Sequence, residues 1–149
     1  MIIRRLRDAD VEPLVALWHA SRRRAHWNVP IHRTFTIEDD REFMTATMIP
    51  RNDMWVAERD GAPVGFMAVQ PGWVNQLYVA VEAQRGGVGS ALIEHAKSLM
   101  DDIRLHTFQN NAPARAFYAR HGFEEVAFGI SDPPEHEPDV LLRWRASPR

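Results

Sequence analysis

A mixed α/β fold, in which helices flank a central sheet, is the class this sequence predicts, and three observations carry it. Residues 54–81 read as three strand-like runs separated by short turns. The third run passes into a glycine-rich loop, and the loop opens a segment of helical period, from Val88 to Leu99. After that helix the pattern continues strand, helix, strand, strand.

The bulk properties fit one globular domain spanning residues 1–149. Hydrophobic content of 45% and charged content of 26% are ordinary. A net charge of −2 gives no basic field for nucleic acid. The absence of cysteine excludes disulfides, thiolate catalysis and cysteine metal sites. The N-terminus lacks the apolar core of a signal peptide, and no apolar run approaches the ~18 residues of a membrane span. The expectation is a cytoplasmic protein without a membrane partner.

Ile2–Leu6 reads as the first strand, because three arginines within and beside it leave no helical stripe. Asp8 and Asp10 are candidate N-caps for a helix, and Pro13 favours the later one. Leu14, Leu17, Trp18 and Ser21 form its buried face, and Arg22-Arg23-Arg24 reads as its solvated C-terminal end. Residues 25–36 have no period but carry His26, Trp27, His32 and Phe35. Two histidines six apart without a nearby carboxylate make a poor metal site.

A second helix is expected over Ile37–Ile49, with Thr36 as its cap, Pro50 as its stop, and Ile37, Phe43, Ala46 and Met48 turned inward. Met54–Arg59 and Val64–Gln70 form a hairpin around Asp60-Gly61, a strong two-residue turn. Pro71-Gly72 then leads into the central strand, which ends Leu77-Tyr78-Val79-Ala80-Val81. In the following helix Val88, Ala91, Leu92, His95, Ala96 and Leu99 recur at spacings of three and four. Asp102–Phe108 is a fifth strand, Ala112–His121 a helix, Phe123–Ile130 a sixth strand and Asp139–Trp144 the last.

The loop Gln84-Arg85-Gly86-Gly87-Val88-Gly89 suits a phosphate. Glycines let backbone approach a ligand, and the first amides of the next helix lack internal partners. Two nucleotide motifs do not fit. A P-loop needs Lys-Ser or Lys-Thr after its last glycine, where this chain has Ser90-Ala91, and the dinucleotide turn Gly-x-Gly-x-x-Gly is absent.

Gln84, Gly87 and Gly89 instead match the coenzyme A loop of the GNAT superfamily of N-acetyltransferases, whose pattern is Gln or Arg, two residues, Gly, one residue, Gly or Ala. Further on, Asn111, Ala114, Phe117, Tyr118, Gly122 and Phe123 are similar to that family's Asn-x-x-Ala-x-x-Phe-Tyr-x-x-x-Gly-Phe. The resemblance spans roughly residues 53–128. It implies a mostly antiparallel twisted sheet of six or seven strands with about four helices, splayed between strands four and five.

The resemblance also implies acetyl-CoA as cosubstrate, without a metal. Gln84, Arg85, Gly86, Gly87, Val88, Gly89 and Ser90 would hold its pyrophosphate. The main chain of Leu77, Tyr78 and Val79 would bind the pantetheine arm, with Asn111 on the other side. The Val79 amide would polarise the thioester carbonyl, and Tyr118 would protonate the departing thiolate. Many relatives carry an acid or histidine at the position of Asn75, and asparagine cannot act as a base. Asn75 alternates onto the face of Leu77 and Val79 and could orient a water or the acceptor. Candidates for the base remain open among His26, His106, Glu82, Glu137 and Asp139.

Transfer of acetyl to a primary amine of a small molecule or peptide is therefore the expected function. With no cysteine to carry an acyl-enzyme, the attack is direct, in a ternary complex. A non-catalytic acyl-CoA-binding or sensing domain is the alternative. Trp27 and Trp73 are candidates to contact an apolar acceptor, and the acidic stretch Glu135–Asp139 suits a cationic amine. Homodimers are common in the family, although the sequence carries no sign of the assembly.

Overall fold

The computed structural model describes residues 1–148. Strands β1 (Ile2–Arg5), β2 (Asp53–Arg59), β3 (Ala62–Gln70), β4 (Trp73–Val79), β5 (Asp102–Phe108), β6 (Glu124–Ile130) and β7 (Pro138–Arg145) form one seven-stranded sheet in the order β1-β2-β3-β4-β5-β7-β6. All pairings are antiparallel except β4 with β5, as the mixed, mostly antiparallel class requires. The β2–β3 hairpin closes on Asp60 and Gly61, both at positive φ (52° and 79°), the geometry that matches strand twist.

Helix α1 (Val11–Ala25) and the composite α2 (Ile37–Phe43) to α3 (Ile49–Arg51) cover one face of the sheet; α4 (Val88–Leu99) and α5 (Ala112–Arg120) cover the other. Alternation divides the strands between two cores. Met54, Val56, Phe66 and Ala68 pack under α1 and α2, whereas Ala57, Met67 and Val69 pack under α4.

Three local expectations are corrected. Asp10 stands at the N-cap position of α1 without capping it, because its buried carboxylate accepts from both Arg4 Nη atoms (2.7 and 2.9 Å) and from the Arg7 amide (2.7 Å). The second helix buries Asp40, Met44 and Met48, of which only Met48 was expected, while Ile37, Phe43 and Ala46 are exposed. Pro50 does not stop it. A π-type turn over Met44–Met48, in which the Ile49 amide reaches the Met44 carbonyl, carries the helix past the proline to Arg51. Thr36 caps as expected, its Oγ1 accepting from the Asp39 amide at 3.1 Å.

The site is positioned by the parting of β4 and β5. They pair only at Trp73 with Arg104 among the described residues, next to an Arg104 amide bond to the Gly72 carbonyl of 2.8 Å. Beyond that point the parallel strands diverge and leave a wedge open through the sheet.

Candidate active site

The backbone of β4 supplies the wall of the wedge. Ala80 donates to the Val64 carbonyl (2.8 Å), which sets the antiparallel alternation with β3. Tyr78 therefore spends its amide and carbonyl on β3, as the Ala80 amide does, and Leu77 and Val79 turn theirs toward the gap. The Val79 carbonyl there accepts from Ser21 Oγ at 2.8 Å and Gln84 Nε2 at 3.4 Å.

Asn75 occupies a bulge. Gln76 pairs with Ala68 and Val74 with Val69, so Asn75 is the unpaired extra residue. This corrects the expectation that it shares a face with Leu77 and Val79. The bulge breaks the alternation, Val74 joins their buried face, and Asn75 is exposed with its Nδ2 donating to Asn52 Oδ1 at 2.9 Å.

At the far end of β4 the chain turns into α4 through Arg85 and Gly87, both at positive φ (67° and 81°). Glycine accommodates this without strain. The first helical bond runs from the Ala91 amide to the Gly87 carbonyl (3.0 Å), so the Val88, Gly89 and Ser90 amides have no intrahelical acceptor. These amides and the positive helix end form a cradle that can take an anion. Gly89 is there for contact, since an added Cβ would lie 3.3 Å from the Phe117 ring of α5. Gly86 sits outside the cleft lining, held by Arg59, whose Nη2 donates to its carbonyl at 2.8 Å.

A cleft of about 1760 Å³ passes from this cradle through the wedge to the opposite face. On the α4/α5 side Gln84, Arg85, Gly87, Val88, Gly89, Ser90, Asn111 and Tyr118 line it. The Oδ1 of Asn111 caps α5 by accepting from the Ala114 amide at 3.2 Å, which leaves its Nδ2 for a ligand. Tyr118 is buried against Phe117 and Phe123, at 5.0 and 5.5 Å between ring centres. Burial, and then the neighbouring Tyr78, push its phenol above the usual range. It is therefore held protonated, as a proton donor must be.

On the α1/α2 side the cleft meets Trp18, Arg22, His26, Trp27, His32, Tyr78 and Glu135. Here Arg22 departs from its expected place in a solvated helix end. It is buried, paired with Asp40, and its guanidinium lies 4.2 Å from the Trp18 ring centre and 4.8 Å from that of Phe35. Asp40 also faces His19 Nδ1 at 2.7 Å. Arg23 is half-buried, reaching the Arg33 and Phe35 carbonyls, and only Arg24 is exposed. Arg22 follows Trp18 by one helical turn on the buried stripe, a spacing that could have found it.

Of the five base candidates, His26, His106 and Asp139 line the cleft, and Glu82 and Glu137 do not. Trp73 lies outside the lining too, where it stacks on His106 at 5.5 Å between ring centres. The loop rings form one cluster: His26 packs 5.0 Å from both His32 and Phe108, and its Nε2 is 3.3 Å from the Tyr78 hydroxyl. Burial, and then the charge of Arg22, lower the His26 pKa to about 4. Burial, with His26 and Arg22 adding to it, does the same for His32. Burial raises that of Tyr78 to about 12.

A wedge in the sheet, a helix-end anion cradle at one side and an aromatic pocket at the other form a site for two substrates. Comparison with known proteins identifies the family. The family model for the acetyltransferase (GNAT) domain matches residues 50–125. The chain is 32% identical over 124 residues to peptidyl-lysine N-acetyltransferase YjaB of Escherichia coli K12, covering 82% of this chain and 81% of that one. Peptidyl-lysine N-acetyltransferase YiaC of the same organism is 26% identical, with 96% of each chain covered. The solution structure of apo-form YjaB from Escherichia coli superimposes with a TM-score of 0.78 at 27% identity, covering 99% of this chain and 100% of that one. The fold is shared also with the PaiA N-acetyltransferase of Thermoplasma acidophilum, solved in complex with coenzyme A (TM-score 0.69, 17% identity, 97% and 98% covered). No helix among the described residues is long and apolar enough to cross a membrane. The chain belongs to the GNAT family and is an acetyl-CoA-dependent N-acetyltransferase.

Proposed function

We propose that this protein, acting as one domain, transfers acetyl from acetyl-CoA to a lysine side chain of a peptide or protein, by direct attack in a ternary complex. The observation that carries the reading is the continuity of the cleft. It joins the amide cradle of α4 to the aromatic pocket under α1 through the gap where Leu77 leaves its main-chain groups, and Val79 its amide, unpaired with β3. The lysine acceptor follows from the names of YjaB and YiaC, and a long, flexible amine suits a pocket entered between two loops.

In this reading the Val88, Gly89 and Ser90 amides hold the donor's pyrophosphate, and Arg85 adds charge. The main-chain groups of Leu77 and the Val79 amide face the pantetheine arm, and the Asn111 Nδ2 closes on it from α5. As the amine nitrogen bonds to the carbonyl carbon, negative charge grows on the carbonyl oxygen, and the Val79 amide meets it. Collapse breaks the carbon–sulfur bond, and the Tyr118 phenol supplies the thiolate's proton. The nitrogen releases its surplus proton to solvent, and solvent reprotonates Tyr118. Asn75 and Trp27 stand at the cleft to steer the acceptor, whereas Trp73 reaches it only through His106.

Two measurements test the proposal. Saturating acetyl-CoA should raise the melting temperature by several degrees, since ligand at ~100 times its dissociation constant adds about 2.7 kcal/mol. Mass spectrometry of a lysine peptide with a blocked N-terminus should then show acetylation at the side chain. Binding without lysine modification, together with turnover of a free α-amine, would reassign the acceptor.

A further inference from the structure

No carboxylate stands at the β4 position where a base is expected, and Asn75 points its amide at Asn52. The acceptor side of the cleft offers a different device. His26 and His32 are 8% and 4% exposed and line the cleft. Three of their four ring nitrogens, His26 Nδ1 and both of His32, are buried without a hydrogen-bond partner. Buried polar atoms are seldom left so, and orphans in the wall of a binding cleft mark where a ligand's polar atoms go. A neutral imidazole offers one bare nitrogen, so the pair can accept hydrogen bonds from an amine.

Charged and titratable groups meet this wall from several elements, with Arg24, Asp39, Glu42, His106 and Asp139 farther along the same cleft. Arg22 and His19 come from α1 and Asp40 from α2; Tyr78 comes from β4 and Glu135 from the β6–β7 loop. Asp40 is spent on Arg22 and His19. Glu135 is a quarter exposed at the rim, its Oε1 3.5 Å from His32 Nε2 without a hydrogen bond between them. The depth of the pocket is thus lined by buried neutral rings and backed by the Arg22–Asp40 pair, and the other carboxylates along the cleft, Asp39, Glu42, Glu135 and Asp139, are not buried.

We propose that this pocket replaces a general base by seating the acceptor amine, uncharged, against His26 and His32. Glu135 draws the ammonium to the rim. Passing inward, the amine gives its proton to solvent there, because desolvation and Arg22 both disfavour a second cation beside the rings. The two imidazoles report that environment: both are depressed from 6.5 to about 4 by the same causes. The bare imidazole nitrogens then orient the neutral amine, whose lone pair is free to attack. His26 and His32 touch the substrate, and Arg22 acts through the field it sets. The inference rests on the lysine acceptor proposed above.

The experiment is the pH dependence of kcat, with saturating acetyl-CoA and a blocked lysine peptide, in the wild type and in the double variant Arg22→Met/Asp40→Asn. Removing both members of the buried pair leaves no lone buried charge. In the wild type kcat should level off about two pH units below the ~10.4 of a free lysine. In the double variant the inflection should rise by a unit or more, with the plateau retained. Arg22→Lys, which keeps the charge, should retain the wild-type inflection. An inflection unmoved in the double variant would overturn the proposal, as would one that vanishes in His26→Asn, since His26 would then be the base itself.

A binding measurement on the wild type decides the matter should the double variant not fold. Affinity of the CoA-loaded enzyme for the peptide, read by tryptophan fluorescence, should be level below about pH 8.4 and rise about tenfold per unit between about pH 8.5 and 10. An affinity that stays level from about pH 8.5 to 10 means that the bound amine keeps its ordinary pKa, and overturns the proposal. Absence of peptide binding at any pH would remove the lysine reading, and this inference with it.

Discussion

The Nε2 of His121 lies 3.0 Å from the Oγ of Ser90, and its Nδ1 faces Glu94 Oε1 at 3.3 Å. Ser90 is the third residue of α4, inside the amide cradle, and His121 directly follows α5. The pair ties the two helices that flank the donor side of the cleft. Lys97 reinforces it by donating to the His121 carbonyl at 2.6 Å. A hydroxyl held this way has its orientation set before a phosphate arrives. Ser90→Ala should raise the KM for acetyl-CoA roughly tenfold, about 1.4 kcal/mol, near the worth of one hydrogen bond to a charged group. Steady-state kinetics should show kcat within twofold of wild type.

Gly89 and Phe117 give a second test on the same helix pair. A Cβ at Gly89 would crowd the Phe117 ring at 3.3 Å. Gly89→Val should therefore push α5 away from the cradle, destabilising the fold by about 1–3 kcal/mol. Donor binding should fall by more than stability does. Melting with and without acetyl-CoA separates the two effects: the unliganded transition drops by several degrees, and the ligand-induced rise disappears.

Tyr118 is the only group given a proton-donating role. Tyr118→Phe keeps the ring that packs on Phe123 and removes the hydroxyl alone. Turnover should fall by about 100-fold, the lower range for a general acid, with acetyl-CoA affinity unchanged. Rapid-quench kinetics combined with calorimetric titration of the donor checks both halves. Wild-type turnover would take Tyr118 out of the reaction.

Stability should depend on pH through the buried imidazoles. His26 and His32 titrate near 4 in the folded chain against 6.5 when free. Between those values the unfolded chain holds more protons, so stability is full above pH 6.5 and is lost as pH falls toward 4. About two protons should be taken up on unfolding near pH 5. Melting temperatures from pH 7.5 to 4.5 should decline in the wild type and flatten in His26→Gln/His32→Gln. Asp10, held low by Arg4, loses its contribution only at lower pH than this window.

What the sequence alone determined was whatever depends on near neighbours. The hairpin at Asp60-Gly61, the cap at Thr36, the strand periods and the glycine loop into α4 are all local chemistry, within a few residues of chain. The spacing of Gln84, Gly87 and Gly89, followed by Asn111 to Phe123, was enough to reach the family and with it the parted strands.

Tertiary structure alone decided what depends on partners far along the chain. Arg22 belongs to a run of three arginines that reads as solvent-facing, and it is buried because Asp40, Trp18 and Phe35 converge on it. Asp10 reads as a cap and is an ion-pair partner because β1 brings Arg4 to it. Asn75 reads as one more alternating strand residue, and it bulges because β3 has one residue fewer to set against β4. His26 and His32 read as loop polarity, and become neutral wall only where Phe108, Tyr78 and Arg22 exclude water from them. Period and propensity carry no information about such meetings. Burial changes a side chain's charge and chemistry, and the fold as a whole sets burial.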